Sequence, residues 1–538
     1  MKSMRKILIL YVLTTVIALI YCASAVGLIN SSDTTQYFTA EALIHNQNVD
    51  MSVYQQAQHY FVYPDYFTRN GHILSVRGYV GSLISIPLHV AGWGLHYFVT
   101  AKGFSEKILT PFFTYELSIV MLYTFMTVFA LVALYKTLLL VTKNQLISVL
   151  TTLATAFGTY LWKYSAFYTR QGYSVLILGL LMYCITRLSG KSEKKRAEIS
   201  CVAGVLYGLS YGIDPILFIA LSLYLAAIIV CSWIQSYRKH GPLISPHKRW
   251  FALPAILLVI LITLGNYHFY GTPQSTYAGK VDYLYGELHE KTESFVISAP
   301  LIPVMKAALF NFGKLPPEAF SHFQDQTERV HDITSVRYAQ KYDFYGLFVL
   351  SPFLFFGLFI VFFPHALKKN FPLISFCLIV FFLGFAGNAK IFGYWGGNQY
   401  DIRYFYPYSI LMAGLSGLVF YSVWEMRKEK YMEILTYIFV LYWIAAVVYS
   451  IAVGWVSVIN MYQPALTGER RIWITLQNFF KEYKTYSGQE YLQATFMNRY
   501  NAWLSVAIVS LIFMVKEGWG WLSGRRKHAK NSPHPKES

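Results

Sequence analysis

Residues 7–37 read ILILYVLTTVIALIYCASAVGLINSSDTTQY, an apolar run followed at once by a polar one. The apolar part, Ile7 to Ile29, exceeds the roughly 20 residues that a membrane-spanning helix needs. Three basic residues at positions 2, 5 and 6 precede it, and the positive-inside rule places basic flanks in the cytoplasm. We therefore expect the polar part, centred on Asp33, to emerge on the extracytoplasmic face.

A cleaved signal peptide is the alternative reading of the same run, because Ala23-Ser24-Ala25 is a weak cleavage signal. The apolar region of a signal peptide is shorter, about 7–15 residues. We therefore interpret residues 7–28 as an uncleaved first helix. Either reading leaves Asp33 outside the cytoplasm.

The composition extends this pattern to the whole chain. Of 538 residues, 55% are hydrophobic and only 13% are charged, whereas soluble domains usually carry about 25% charged residues. The net charge of +18 comes from basic residues in short loops between apolar runs, which is typical of membrane proteins. No recognition motif accompanies the charge, so we exclude nucleic acid as a partner.

We predict an all-α polytopic membrane protein with about twelve transmembrane helices, within a range of about 11 to 13. The predicted spans are 7–28, 112–140, 146–162, 171–188, 199–213, 216–233, 250–269, 344–364, 371–388, 404–424, 434–456 and 501–521. Basic loops between them place both termini in the cytoplasm. The large outer loops are then 30–111, 270–343 and 457–500.

Residues 79–101 are apolar but contain Pro87 and His89. An odd number of spans must separate Asp33 outside from Lys143 inside. If 112–140 is one span, 79–101 is a juxtamembrane or re-entrant segment of the first outer loop, which is tolerated where protein covers it. The alternative is that 79–101 spans and a later assignment is wrong.

We divide the chain into a transmembrane catalytic region at 1–425, a C-terminal transmembrane region at 426–524 and a basic cytoplasmic tail at 525–538. The five cysteines all lie in or beside apolar runs, so we expect buried thiols and no disulfide framework. Outer loops without cysteine suit a bacterial inner membrane.

Asp33 is the first candidate for chemistry. The stretch from Asp33 to Leu43 predicts a helix cap followed by an amphipathic helix that carries Tyr37 and Glu41. The ordinary reading is that Asp33 is an N-cap, for which aspartate is well suited.

Two further stretches suit a phosphate and a sugar-like group. Asn70 to Pro87 contains Arg77 with Gly78 and Gly81, and glycine permits close backbone approach to a ligand. Tyr394 to Pro407 combines glycines, aromatic residues and an arginine: Trp395, Gly397, Arg403 and Tyr404. Arginine recognises phosphate with two parallel hydrogen bonds. The ordinary readings are a turn with an interfacial anchor and an aromatic belt with one snorkelling arginine.

These stretches together resemble the integral-membrane glycosyltransferases of the GT-C fold, such as protein O-mannosyltransferases and lipid A aminoarabinose transferases. The resemblance spans about residues 7–425 as short motifs in order. They are Asp33–Leu43, Ser75–Pro87 without the family's usual double proline, Gly158–Ser165, Asn266–Tyr277, Gly346–Pro352 and Tyr394–Pro407.

The resemblance implies a polyprenyl-phosphate sugar donor and transfer to an acceptor outside the cytoplasm. Many relatives carry a second acidic residue in the outer loop after the third span, but here that loop, Lys163–Gln171, contains none. This counts against a two-carboxylate metal site, although dependence on a divalent cation stays open. It leaves Asp33 as the base, with Glu41 second, and Arg77, Arg170 and Arg403 as phosphate ligands, with Tyr37 and Lys163 as further candidates.

Two other functions fit the sequence. One is a lipid-linked glycan polymerase or ligase of another membrane fold, and the other is a glycolipid flippase or transporter. Transporters usually place carboxylates or broken helices at the membrane midplane. Ionisable residues such as Glu116, Asp214 and Lys390 instead fall near span ends, which disfavours transport.

Overall fold

A computed structural model describes residues 2–24, 31–52, 66–69, 71–75, 78–101, 115–165, 171–188, 192–239, 246–271, 273, 301–313, 344–389, 404–429, 431–462 and 506–515. This part of the chain is predominantly α-helical. Among the described residues, four short strands form two antiparallel pairs, and every other regular element is a helix.

The elements run in the following order. They are α1 (Lys2–Ala23), α2 (Ser31–Asn46), β1 (Tyr66–Arg69), β2 (His72–Ser75), α3 (Val80–Ala101), α4 (Tyr115–Thr142), α5 (Gln145–Gly158), α6 (Leu161–Ser165), α7 (Gln171–Leu188), α8 (Glu193–Ile213), α9 (Pro215–Lys239), α10 (Pro246–Tyr270), α11 (Leu301–Phe310), β3 (Phe312–Gly313), β4 (Phe344–Tyr345), α12 (Leu347–Leu350), a 3-10 helix (Pro352–Phe362), α13 (Pro364–Ala389), a 3-10 turn (Tyr406–Tyr408), α14 (Ser409–Met426), α15 (Glu433–Tyr462) and α16 (Val506–Val515).

Six helices in the described ranges are long and apolar enough to cross a membrane: Tyr123–Thr142, Gln171–Leu188, Arg249–Tyr270, Pro364–Ala389, Tyr406–Met426 and Glu433–Trp455. Several of them expose large apolar side chains, including Leu253 (67% exposed) on α10 and Leu441 (68% exposed) on α15. Water disfavours such extended apolar faces, whereas lipid accommodates them. The prediction of an all-α chain suited to a bilayer is therefore confirmed.

Helix α8 packs closely against α10 through glycines spaced by four residues, which lie on one helix face. A Cβ atom at Gly204 would lie 2.2 Å from the backbone oxygen of Phe251, and one at Gly208 would lie 2.8 Å from Leu258 Cβ. A Cβ atom at Gly212 would likewise lie 2.4 Å from Val80 Cγ2 on α3. Small residues at this spacing let two backbones approach within a membrane, where packing drives helix association.

The predicted span 344–364 is not one α-helix. It consists of β4, the four-residue helix α12 and the 3-10 helix Pro352–Phe362. The break falls where Pro352 lacks an amide hydrogen and where Ser351 Oγ donates to the Gly158 carbonyl, 2.7 Å away. Hydrophobicity predicted an apolar segment at 344–364, but Pro352 and the Ser351 contact with α5 divide it into separate short elements.

Two other predicted boundaries also shift. Span 146–162 ends at Gly158, and the short helix α6 begins at Leu161. Span 404–424 begins as a helix only at Ser409, after the Tyr406–Tyr408 turn that contains Pro407. In the described ranges, each remaining apolar run falls on a helix, but several helices extend five to seven residues beyond the predicted ends, as α13 does by beginning at Pro364.

Residues 80–101 form the single helix α3, with Pro87 inside it. Its polar residues Ser82, Ser85 and His89 recur at helical spacing and are fully buried. They face α2, since Ser82 Oγ donates to the Gln36 carbonyl at 2.7 Å and His89 bonds to Glu41. Whether α3 is juxtamembrane or spanning stays a prediction.

Candidate functional site

Several predicted motifs meet at one end of the helix bundle, which we call the α2 end and define by Ser24, Gly81, Trp162, Tyr173 and Tyr406. Trp162 Nε1 donates to Ser24 Oγ at 2.9 Å, which joins α6 to the end of α1. The Tyr173 hydroxyl donates to the Gly81 carbonyl at 3.1 Å, which joins α7 to α3. The rings of Tyr164 and Tyr406 stack at 4.5 Å. Segments distant in sequence thus form one neighbourhood.

The Asn266–Tyr277 motif also reaches the start of α3. The ring of Tyr79 lies 5.1 Å from that of Phe269, and a Cβ atom at Gly265 would lie 1.9 Å from the Tyr79 hydroxyl. Gly265 therefore makes room for Tyr79. Asn266 and Tyr270, on the same turn of α10, are both buried.

Asp33 lies in the first turn of α2, because this helix begins at Ser31 and not at Asp33. The prediction of a helix here is confirmed, but Asp33 is not its N-cap, because the helix begins three residues earlier than that reading requires. Two hydrogen bonds hold the next turn in place. Thr35 Oγ1 and Ser75 Oγ lie 2.9 Å apart, and Ser82 Oγ donates to the Gln36 carbonyl. The backbone that carries Asp33 is thus fixed to β2 and α3.

Five candidate residues lie outside the described residues: Arg77, Arg170, Trp395, Gly397 and Arg403. Their proposed roles stay predictions. The structure does describe residues within two positions of the three arginines, namely Ser75, Gln171 and Tyr404. These three residues belong to segments that meet at the α2 end. Tyr404 itself is partly buried and packs against the core.

The two glycines near Arg77 have structural roles. Gly78 has a φ of 80°, a left-handed backbone conformation that glycine adopts without strain. Gly81 is helical, and a Cβ atom there would lie 3.1 Å from Gln36 Nε2. Gly71, which precedes β2, also has a positive φ, of 83°.

Lys163 is buried, with 4% of its surface exposed. Its Nζ atom lies 5.4 Å from the ring centre of Tyr160 and 5.3 Å from that of Tyr164, distances at which an ammonium is attracted to an aromatic face. Tyr164 stacks on Tyr406 and thereby connects α6 to the turn that follows Tyr404, so Lys163 lies beside this contact. A buried cation in this position suits an anionic ligand.

Glu41 and Tyr37 belong to a buried contact between α2 and α3. Glu41 Oε1 is hydrogen-bonded to His89 Nδ1, and Glu41 Oε2 lies 3.6 Å from His45 Nε2. The Tyr37 ring lies 4.7 Å from the His89 ring. Eight residues separate Glu41 from Asp33, which is about 12 Å along a helix. Glu41 therefore holds α2 against α3, away from the first turn.

Sequence reasoning missed the pairing of His89 and Glu41, although His89 stands out in an apolar run. It also missed Asp50, whose carboxylate ties residues 50–52 to β2. Asp50 accepts hydrogen bonds from His72 Nδ1 at 2.6 Å, Ser52 Oγ at 2.7 Å and the Ile73 amide at 3.0 Å. Burial raises the pKa of the Asp50 carboxyl, but these hydrogen bonds outweigh it and hold the pKa below its ordinary value.

A lowered folded-state pKa predicts a loss of stability in acid. The contribution of Asp50 is complete above its unfolded pKa of about 4 and is lost as the pH falls through the lower folded value. We expect Asp50→Asn to lower the unfolding temperature at pH 5 and above, where the carboxylate is charged. The difference from wild type should shrink as the pH falls below about 4. Thermal unfolding in detergent measures it, and a difference unchanged down to pH 3 would contradict the assignment.

Within the described ranges, no group of three or more His, Cys, Asp and Glu side chains is arranged to hold a metal ion. Dependence on a divalent cation therefore stays untested. Comparison with protein-family models gave no match, and comparison with curated protein sequences gave none either.

Proposed function

We propose that this chain is a membrane glycosyltransferase that moves a sugar from a polyprenyl-phosphate donor to an acceptor outside the cytoplasm. The observation that carries the proposal is the meeting of four motifs at the α2 end. The first turn of α2 with Asp33, the start of α3, the Lys163 helix and the Tyr404–Tyr408 turn converge there. A transferase needs a base, phosphate ligands and a path for a lipid at one place.

The charge pattern supports an extracytoplasmic position for this end. The basic residues Arg187, Arg249 and Arg427 lie at the ends of their helices opposite to the α2 end. The positive-inside rule places such residues in the cytoplasm. About twelve spans, cytoplasmic termini and a bacterial inner membrane are part of this proposal. Exposed apolar side chains on α10 and α15 give the lipid tail a hydrophobic setting.

In the proposed mechanism, a hydroxyl or amine of the acceptor attacks the anomeric carbon of the sugar. The new bond forms as the carbon–oxygen bond to the lipid phosphate breaks. Asp33 accepts the proton of the attacking group. The polyprenyl phosphate departs as an anion that needs no protonation, so one carboxylate is enough, unlike glycoside hydrolysis. Arg77, Arg403 and Arg170 stabilise the charge on the phosphate, and attack opposite the phosphate inverts the anomeric carbon.

A transfer assay tests this proposal. Purified protein in liposomes is given radiolabelled undecaprenyl-phosphate sugars, with a membrane extract as acceptor. Label that moves to a product supports the transferase and identifies the acceptor as protein, lipid or cell-envelope glycan. Label that crosses the bilayer while still attached to its lipid would instead establish the flippase alternative. Products of increasing glycan length would favour the polymerase or ligase alternative.

Lys163 gives a prediction about the donor. We expect Lys163→Met to raise the KM for the lipid donor about tenfold, because a charge-assisted contact with phosphate is worth roughly 1.5–3 kcal/mol. Methionine is apolar and fills most of the same space, so the unfolding temperature should hold or rise. Steady-state kinetics with varied donor measure the effect.

Lys136→Met is the matched control, since Lys136 Nζ also lies over an aromatic ring, at 5.9 Å from Tyr183, near the far end of α4. It should leave the KM unchanged. Equal effects of the two substitutions would show that Lys163 acts through general charge or stability and not through the donor.

A further inference from the structure

Gln36 is the most unusual side chain at the α2 end. It is fully buried, yet neither its Nε2 nor its Oε1 atom has a hydrogen-bond partner among the described residues. An unmatched buried polar group costs roughly 1–3 kcal/mol, and such a cost in a folded protein calls for an explanation. Gln36 carries two such atoms on one amide.

The surroundings give this amide room. A Cβ atom at Gly81 would lie 3.1 Å from Gln36 Nε2 and 3.3 Å from Gln36 Oε1. Gly81 is therefore the residue on α3 that lets the amide fit. The Gly81 carbonyl is already bound by the Tyr173 hydroxyl, and the Gln36 carbonyl is bound by Ser82. The backbone around the amide is thus fixed while its own donor and acceptor are left open.

Gln36 also stands three residues after Asp33 on α2. Residues separated by three positions share a helix face, with Cβ atoms about 5–6 Å apart. Position 36 therefore lies on the same face of α2 as position 33. A carboxamide offers donors and an acceptor together, which matches a sugar hydroxyl, itself a donor and an acceptor. An uncharged amide has no particular preference for phosphate.

We propose that the Gln36 amide binds a hydroxyl group of the donor sugar next to the anomeric carbon. This inference rests on the proposed glycosyltransferase function. The amide is shielded from water in this structure, so the sugar must displace the side chains that cover it, as in sites that close over their substrate. Gln36 would thus distinguish the glycosylated lipid from the bare lipid phosphate.

The test compares the bare lipid phosphate with its glycosylated forms on purified protein in detergent. Thermal stabilisation and tryptophan fluorescence measure the affinity for undecaprenyl phosphate and for undecaprenyl-phosphate mannose, glucose and aminoarabinose. We expect wild type to bind one glycosylated lipid at least tenfold more tightly than undecaprenyl phosphate. Gln36→Leu, similar in size but apolar, should lose about tenfold of this preference and should unfold at the same or a higher temperature, because two unmatched polar atoms are removed.

Two further variants separate the sugar contact from folding. Gly81→Ala adds a Cβ atom against the amide and should reduce the preference in part, whereas Gly94→Ala on the same helix, where nothing lies within 4 Å, should not. Gln145→Leu, a glutamine near the opposite end of the bundle, controls for the loss of an amide. It should leave the preference for the glycosylated lipid intact.

The outcomes are distinguishable. If wild type prefers no glycosylated lipid over undecaprenyl phosphate, the proposed function fails and the Gln36 contact fails with it. If wild type has the preference and Gln36→Leu keeps it, only the Gln36 contact is wrong. A large loss of stability in Gln36→Leu would also overturn the inference, because it would show that the amide already has a structural partner.

Discussion

Asp33→Asn is expected to reduce the turnover of sugar transfer by about 100-fold or more, since general bases typically contribute 10²- to 10⁴-fold. Asparagine keeps the size of the side chain but accepts no proton, so the acceptor would have to attack without losing its proton to the enzyme. The KM for the lipid donor should change little, because the arginines and Lys163 are proposed to hold the phosphate. Single-turnover transfer with saturating donor measures this directly.

Asp50→Asn is the matched control, with the same substitution 17 residues further along. Asp50 supports the backbone near β2 through its hydrogen bonds, so we expect its replacement to lower stability while turnover per folded molecule stays near wild type. Asp33→Asn should show the reverse pattern. Normal turnover by intact Asp33→Asn protein would refute the assignment of the base.

Gly204→Ala is expected to cause a large loss of stability through a single methyl group. The added Cβ atom would lie 2.2 Å from the Phe251 carbonyl oxygen and 2.9 Å from Pro254 Cγ. A backbone oxygen cannot rotate away as a side chain can, so α8 and α10 must separate. Overpacking of this kind costs roughly 1–3 kcal/mol and occasionally more. Thermal unfolding and the fraction of monodisperse protein in detergent report it.

Gly94→Ala provides the comparison, because the same change at Gly94 on α3 meets nothing within 4 Å. Alanine is favoured over glycine in a helix interior by roughly 0.5–1 kcal/mol, so this variant should match or exceed wild type in stability. If Gly204→Ala were as stable as Gly94→Ala, the close contact between α8 and α10 would be wrong. Because α8 also contacts α3 through Gly212 and Val80, reduced activity of Gly204→Ala is expected as a secondary result.

The sequence predicted the helices because each long apolar run can satisfy its own backbone hydrogen bonds as a helix. Such runs can be recognised from their length and hydrophobicity alone, without knowing which helices pack against them. The predicted spans are wrong where a local feature, such as a proline, interrupts an apolar run. Residues 344–364 satisfy the composition of a span, yet Pro352 and the Ser351 contact with Gly158 break them into separate elements.

The candidate site was predictable only in part. Asp33 was expected to cap a helix and instead lies inside the first turn of α2, and Lys163 and Tyr404 belong to segments that meet at the α2 end. Glu41 was proposed as a second base, but its partner His89 lies 48 residues away on α3, and no sequence spacing indicates that pairing. The open amide of Gln36 is likewise invisible in sequence, because it depends on a glycine from another helix.

The sequence by itself determined a helical chain suited to a bilayer, its basic loops and the position of Asp33 after the first apolar run. These properties follow from composition and order along the chain. Only the tertiary structure decided that α2 packs on α3, that Glu41 bonds to His89 and that Gly81 makes room for Gln36. The physical reason is that hydrophobicity selects which segments enter the membrane without specifying neighbours. Close packing and buried hydrogen bonds, which depend on pairs of distant residues, select the neighbours.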